Sequence, residues 1–203
     1  VCFHGLLESM FELGVQCGKS IRFGQIAVKD AKFRTFIADA ACRKDFYMHI
    51  YDVTYGLVRP GADNLVVLDD SIVRGNTMRN AILPILDRLQ PKKVIVASSA
   101  PPVKYPDCYG IDMATLQELV AFNALVELLK RDHKMYLLEQ AYHRAEEQLK
   151  GPDSEMTNCL KDVYQEYSDQ EISDAITLLL RPESMNSELE VVFQTCANLR
   201  RSC

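Results

Sequence analysis

No apolar stretch in these 203 residues approaches the roughly 20 needed to span a bilayer, and residues 1–14 lack the charged start and long apolar core of a signal peptide. A soluble protein with no membrane partner is expected. Positive charge is also scarce: 23 Lys+Arg stand against 28 Asp+Glu, a net charge of −5. That excludes the basic field behind sequence-independent nucleic-acid binding, so no nucleic-acid partner is expected. Paired cysteines are missing too. Cys2, Cys17, Cys42, Cys108, Cys159, Cys196 and Cys203 are odd in number, scattered and never C-x-x-C, which argues against a disulfide framework or a zinc site and for a reducing cytoplasm. His4, His49, His133 and His143 show no ligand spacing. The 48% hydrophobic and 25% charged residues that remain describe a globular chain. It opens on Val1 instead of Met, and a longer polypeptide is expected.

Charge divides the chain at Thr115. Before it stand 14 Lys+Arg and 12 Asp+Glu, after it 9 and 16. The front alternates short β-branched runs with amphipathic stretches, and the tail is almost continuously helical in pattern. Leu65–Leu68 and Val94–Ser98 are apolar runs too short for helices, with Thr77–Gln90 between them. Met78, Ala81, Ile82, Ile85, Leu86 and Leu89 in that segment share one helical face, and Pro84 should kink it. The spacing predicts a right-handed βαβ crossover into a parallel sheet, and the continuous apolar strands predict helices on both faces. Ile26–Val28, Thr35–Ile37 and His49–Val53 are further strand candidates. In the tail, Thr115 with Glu118, Ser168 with Glu171 and Ser187 with Glu190 spell capping boxes. They predict one long helix over 116–150 and two or three shorter ones. Tyr136, Tyr142, Tyr164 and Tyr167 are expected to pack between helices. The fold class is α/β, a parallel sheet flanked by helices with a C-terminal α-helical extension. The α/β domain is placed at 1–122 and the extension at 123–203.

The chemistry concentrates in Leu68-Asp69-Asp70-Ser71-Ile72-Val73-Arg74-Gly75-Asn76-Thr77. An apolar strand ends in adjacent carboxylates, a small polar loop follows, and a helix begins. Ligands of open parallel sheets bind at the carboxyl ends of strands, and a helix N-terminus favours a phosphate. Gly75 permits close backbone approach, while Ser71, Asn76 and Thr77 can add side-chain hydrogen bonds. Carboxylates beside a phosphate cradle make sense if the ligand carries hydroxyls next to its phosphate, bound directly or through a hard cation such as Mg²⁺. Two acids after a strand also serve as solvated loop charges or as the acidic pocket of a phosphoacceptor domain, although the latter leaves the loop without a role.

Leu68–Thr77 resembles the phosphoribosylpyrophosphate (PRPP) motif of type I phosphoribosyltransferases. Together with Ala100-Pro101-Pro102-Val103-Lys104-Tyr105-Pro106, Tyr109-Gly110-Ile111-Asp112-Met113 and Arg34-Thr35-Phe36-Ile37, it is similar to the glutamine PRPP amidotransferase family, over about residues 19–122. The resemblance implies the type I phosphoribosyltransferase fold and a transfer in which ammonia displaces pyrophosphate from PRPP. It implies catalytic residues Lys29, Arg34, Asp69 and Asp70, and a PRPP site of Asp69, Asp70, Ser71, Ile72, Val73, Arg74, Gly75, Asn76 and Thr77. Mg²⁺ on Asp69 and Asp70 is implied as cofactor. No iron–sulfur cluster is expected, because Cys108 stands one position from the relevant place. Ammonia would come from a glutaminase domain outside this chain, and a homo-oligomer is expected. A non-catalytic PRPP-binding regulator and a salvage transferase acting on a free base are the alternatives. The sequence departs from the family at Asn76 and at Met78, which cannot donate a hydrogen bond. The acidic tail reads either as a docking surface for the glutaminase half or a sister subunit, or as a solvated cap; several short amphipathic helices bury little alone, which favours docking.

Overall fold

The computed structural model describes residues 21–22, 27–29, 51–53, 56–107 and 115–202. Its centre is a parallel three-stranded sheet in the order β3–β4–β5, made of Asn64–Asp69, Lys93–Ser98 and Glu188–Phe193. Leu65 stands opposite Val94, and Val94 opposite Leu189. Strands β1 (Ala27–Lys29) and β2 (Tyr51–Val53) pair antiparallel in a second, separate sheet. They match two of the three weaker strand candidates; Thr35–Ile37 lies outside the described residues.

The β3-to-β4 crossover follows the βαβ expectation. Met78, Ala81, Ile85, Leu86 and Leu89 are buried, and Ile82 is half-buried against the same core. Pro84 lies just past the junction of two helix types. The segment starts helical at Asn76 and Thr77, is π-helical over Met78–Ile82 and continues as α1, Leu83–Asp87, with Pro84 in its first turn.

Coverage of both sheet faces is not what the described residues show. Burial along β4 alternates: Val94 and Val96 are fully buried while Ile95 and Ala97 are only partly so. Leu65 and Val191 share the buried side, whereas Val66 and Val192, on the other, are 47% and 44% exposed. Chain order matches spatial order in β3–β4–β5, so successive right-handed crossovers put their helices on one face.

The tail departs from its pattern in three ways. The long helix over 116–150 is interrupted. A 3₁₀ turn at Leu116–Glu118 precedes α2, Val120–Arg131, and α3 is Tyr136–Gln148. Between α2 and α3 the chain turns through His133 at φ 57°, a left-handed conformation that no α-helix interior contains. The Thr115 side chain makes no capping bond. The Ser168–Glu171 capping box is formed as read, with both reciprocal bonds present at the start of α5, Asp169–Leu180; the short α4, Leu160–Gln165, precedes it and α6, Cys196–Ser202, follows β5. The Ser187–Glu190 pair caps nothing, because the segment after Ser187 is strand β5.

Ser187 instead joins β5 to α1. Its amide and hydroxyl donate to Asp87 Oδ1 at 2.9 and 2.6 Å, and the Asn186 amide donates to Oδ2 at 3.1 Å. The buried cluster runs from Leu65, Val94 and Val191 through Leu83 and Leu86 to Leu125, Leu129, Ile172 and Ile176, so the tail helices complete the core of the sheet. Tyr164 and Tyr167 are buried as expected, but Tyr136 and Tyr142 are exposed. Ala141 is the one buried residue of α3, and the Tyr142 ring meets the neighbouring His143 edge-on at 5.9 Å instead of entering the core.

Candidate functional site

Strand alternation places the two acids differently. Asp69 is in register with Ser98 and follows Leu65 and Val67 at two-residue spacing, so it faces the helix-covered side of the sheet at its carboxyl edge. It is half-buried, while Asp70, one residue on, is exposed. Burial pushes the Asp69 carboxyl above the usual carboxylate range; the bond from the Asp70 amide opposes this, and the Asp70 charge adds to it. Each carboxylate accepts from the next amide: Asp70 N–H donates to Asp69 Oδ1 at 3.0 Å and Ser71 N–H to Asp70 Oδ1 at 2.6 Å. These bonds turn the acid pair toward the loop.

The loop is anchored from several sides. Ile72 inserts into the core and is 4% exposed. The Val73 carbonyl accepts from Val120 N–H at 2.8 Å, and the Arg74 guanidinium pairs with Glu118 at 2.9 Å. Gly75 sits at φ 74°, in the left-handed region that glycine enters without steric cost. Its carbonyl accepts from Arg79 N–H at 2.9 Å, so the helical segment starts immediately beyond the glycine. First-turn amides of a helix have no intrahelical acceptor, and here they belong to the exposed Asn76 and Thr77. Met78, the departure from the family pattern, is buried in the core at 5% exposure, which is why an apolar side chain is accommodated there.

Predicted residues 69 to 77 therefore come together on one strand end and one turn, with Ile72 contributing its side chain to the core. Lys29 ends β1, paired in register with Tyr51 in the separate sheet, and Arg34 lies outside the described residues, as does the Tyr109–Met113 motif. Adjacent carboxylates suit Mg²⁺, which commonly takes one or two of them and completes its shell with water and substrate phosphates. Among the described residues no cluster of three or more His, Cys, Asp or Glu could hold a metal. No helix among the described residues is long and apolar enough to cross a membrane.

Two contributors escaped the sequence reading. Ser99 donates its amide to the Asp69 carbonyl at 2.9 Å and its hydroxyl to the Asp70 carbonyl at 3.1 Å, fixing the backbone that carries both acids. The polar pair Ser98-Ser99 at the end of an apolar strand was the available signal. Leu180, at the end of α5, lies against Gly75, and nothing in its local sequence announces that. Beyond β4, the Pro-rich exit is held by the tail. Tyr164 donates its hydroxyl to the Lys104 carbonyl at 3.1 Å, Lys104 Nζ pairs with Asp169 at 2.9 Å, and the Tyr105 ring meets Tyr164 edge-on at 5.6 Å. Burial and the nearby Tyr105 raise the Tyr164 phenol far above its ordinary value. A groove lined by Arg144, Glu147, Gln148, Gly151, Pro152 and Glu155 gathers none of the predicted site residues.

No protein-family model matches the chain. Among curated proteins it is 44% identical over 64 residues to the amidophosphoribosyltransferase of Pasteurella multocida, covering 32% of this chain and 12% of that one. To the mouse amidophosphoribosyltransferase it is 40% identical over 77 residues, covering 36% of this chain and 15% of that one. The chain is similar to amidophosphoribosyltransferases. Among solved structures it is similar to the glutamine PRPP amidotransferase of B. subtilis in complex with ADP and GMP. Identity there is 30% and the TM-score 0.41, with 58% of this chain and 26% of that one covered. The amidophosphoribosyltransferase likeness thus spans 12–15% of the length of the curated relatives named here.

Proposed function

We propose that this chain binds PRPP with Mg²⁺ and carries the sugar-transferring chemistry of an amidophosphoribosyltransferase, the first step of purine synthesis, as the 1–122 domain with a helical extension. The supporting observation is the continuity of acid pair, left-handed Gly75 and helix start on one turn at the carboxyl edge of a parallel sheet. The ribose diol would lie against Asp69 and Asp70, which accept its hydroxyl hydrogen bonds and orient the ring. The 5′-phosphate would sit in the turn of residues 71–77, where first-turn amides and the positive end of the helix favour an anion.

Ammonia attacks C1 as the bond to pyrophosphate breaks, so the ring gains positive and the leaving group negative charge. The acid pair stabilises the first; Lys29 and Arg34 are assigned to the second. Asp69 and Asp70 would hold Mg²⁺, and the ion would supply positive charge to offset the charge that develops on the leaving group. Ammonia is itself a nucleophile and needs no dedicated base here, so exclusion of competing water matters more. A glutaminase domain outside this chain would supply it, and a cytoplasmic homo-oligomer is the proposed setting.

Calorimetry with Mg²⁺–PRPP tests the site. The Asp69→Asn, Asp70→Asn double variant should lose at least about 100-fold in affinity, since charge-assisted hydrogen bonds contribute roughly 1.5–3 kcal/mol each, while its circular dichroism stays that of the parent. Unchanged affinity overturns the assignment. Turnover with ammonia but not with a free purine base separates this activity from salvage transfer, and PRPP binding without turnover on either acceptor would mark a regulator.

A further inference from the structure

The loop of residues 71–77 does not hold its shape alone. A methyl group built on Gly75 would stand 2.3 Å from Leu180 Cδ2, 3.6 Å from Leu180 Cγ and 3.7 Å from Val120 Cγ2. The glycine's α-hydrogen face is therefore in van der Waals contact with a leucine from the last turn of α5. Leu180 is 2% exposed, so this contact is backed by core packing instead of solvent. On the same side the Val120 amide holds the Val73 carbonyl and Glu118 holds Arg74. Three tail residues thus bear on three successive positions of the turn, and the one at Gly75 is apolar, buried and steric.

We infer that Leu180 is a positioning residue for the phosphate turn. Its side chain backs Gly75 in the left-handed conformation and so sets the direction in which the amides of residues 76–78 point. A turn that must aim several N–H groups at one phosphate gains affinity from being held in shape before the ligand arrives. The polar anchors at Val73 and Arg74 fix where the loop is, and the contact at Gly75 fixes how it is turned. This role rests on the turn receiving the 5′-phosphate, as proposed above. It gives the helical tail a part in the site although the tail carries none of the ligand-binding residues.

The test compares Leu180→Ala with Ile176→Ala in the full chain. Ile176 is buried in the same helix, but the three atoms nearest a methyl group on Gly75 belong to Leu180 and Val120. Both truncations open a cavity and should lower Tm comparably. At a temperature where both variants are folded, Leu180→Ala should weaken Mg²⁺–PRPP binding at least about tenfold, with Ile176→Ala close to the parent and Leu180→Met restoring most of the affinity. Hydrogen exchange at the amides of residues 72–78 should quicken about tenfold in Leu180→Ala alone. Gly75→Ala should impair binding less in the Leu180→Ala background than in the parent. A parent chain that binds PRPP, with Leu180→Ala binding equally well or Ile176→Ala equally impaired, overturns the role of Leu180 alone. A parent chain that does not bind PRPP overturns the reading of the turn and this role with it.

Discussion

Removing the Asp87 carboxylate should loosen the join between the crossover helix and the last strand. Asp87 accepts three hydrogen bonds, from the Asn186 amide, the Ser187 amide and the Ser187 hydroxyl, at 3.1, 2.9 and 2.6 Å. Burial by itself raises its pKa, but the bonds from Ser187 and Asn186 outweigh that and hold the carboxyl below its ordinary value of 3.8. Bonds to a charged acceptor contribute roughly 1.5–3 kcal/mol each, yet these three share one partly exposed carboxylate and do not add. Asp87→Ala should therefore cost about 2–4 kcal/mol, or about 4–16 °C in Tm for a chain of this size. Because the folded pKa lies below the unfolded one, the contribution is complete above the unfolded value and disappears as pH falls through the folded value. Thermal melts followed by circular dichroism from pH 7 down to about pH 3 should show parent and variant far apart at neutral pH and converging at the acidic end. Asp87→Asn, which keeps an acceptor but not the charge, should fall between them. A variant melting within about 1 °C of the parent at pH 7, or a gap that does not narrow on acidification, would refute the view that this carboxylate clips β5 to α1.

Ser168→Ala removes the hydroxyl half of the capping box at the start of α5 while leaving the backbone amide of residue 168 to donate to Glu171, and should cost about 1 kcal/mol in urea unfolding; a loss within error would mean that the hydroxyl adds nothing to what packing and the remaining amide bond supply at that helix end. Tyr164→Phe removes the donor to the Lys104 carbonyl while keeping the ring, and should cost about 1 kcal/mol in the same assay.

Much of the site was legible because its determinants are local. Asp69-Asp70 directly after a β-branched run, a glycine five residues beyond and an amphipathic helix thereafter prescribe strand, turn and helix through nearest-neighbour preferences. The face formed by Met78, Ala81, Ile85, Leu86 and Leu89 followed from helical period, and Ser168 with Glu171 from side chains that reach only one turn. The same local logic misled at Ser187, where an identical capping pattern precedes a strand. Its hydroxyl is taken by Asp87 from another element, and β5 is stabilised by pairing with β4.

Sequence by itself thus determined the β3–loop–helix unit, the parallel pairing of β3 with β4 and the place of both acids, because adjacent residues are brought together by short-range geometry whatever the rest of the chain does. Only tertiary structure decided that Asp69 faces the covered side of the sheet, that the tail contributes a strand as well as helices, that among the described residues one face of the sheet is more deeply buried than the other, and that Leu180 closes against Gly75. Those depend on which distant segments meet, and hydrophobic burial is indifferent to sequence order: it selects partners by shape and available surface once the chain has collapsed.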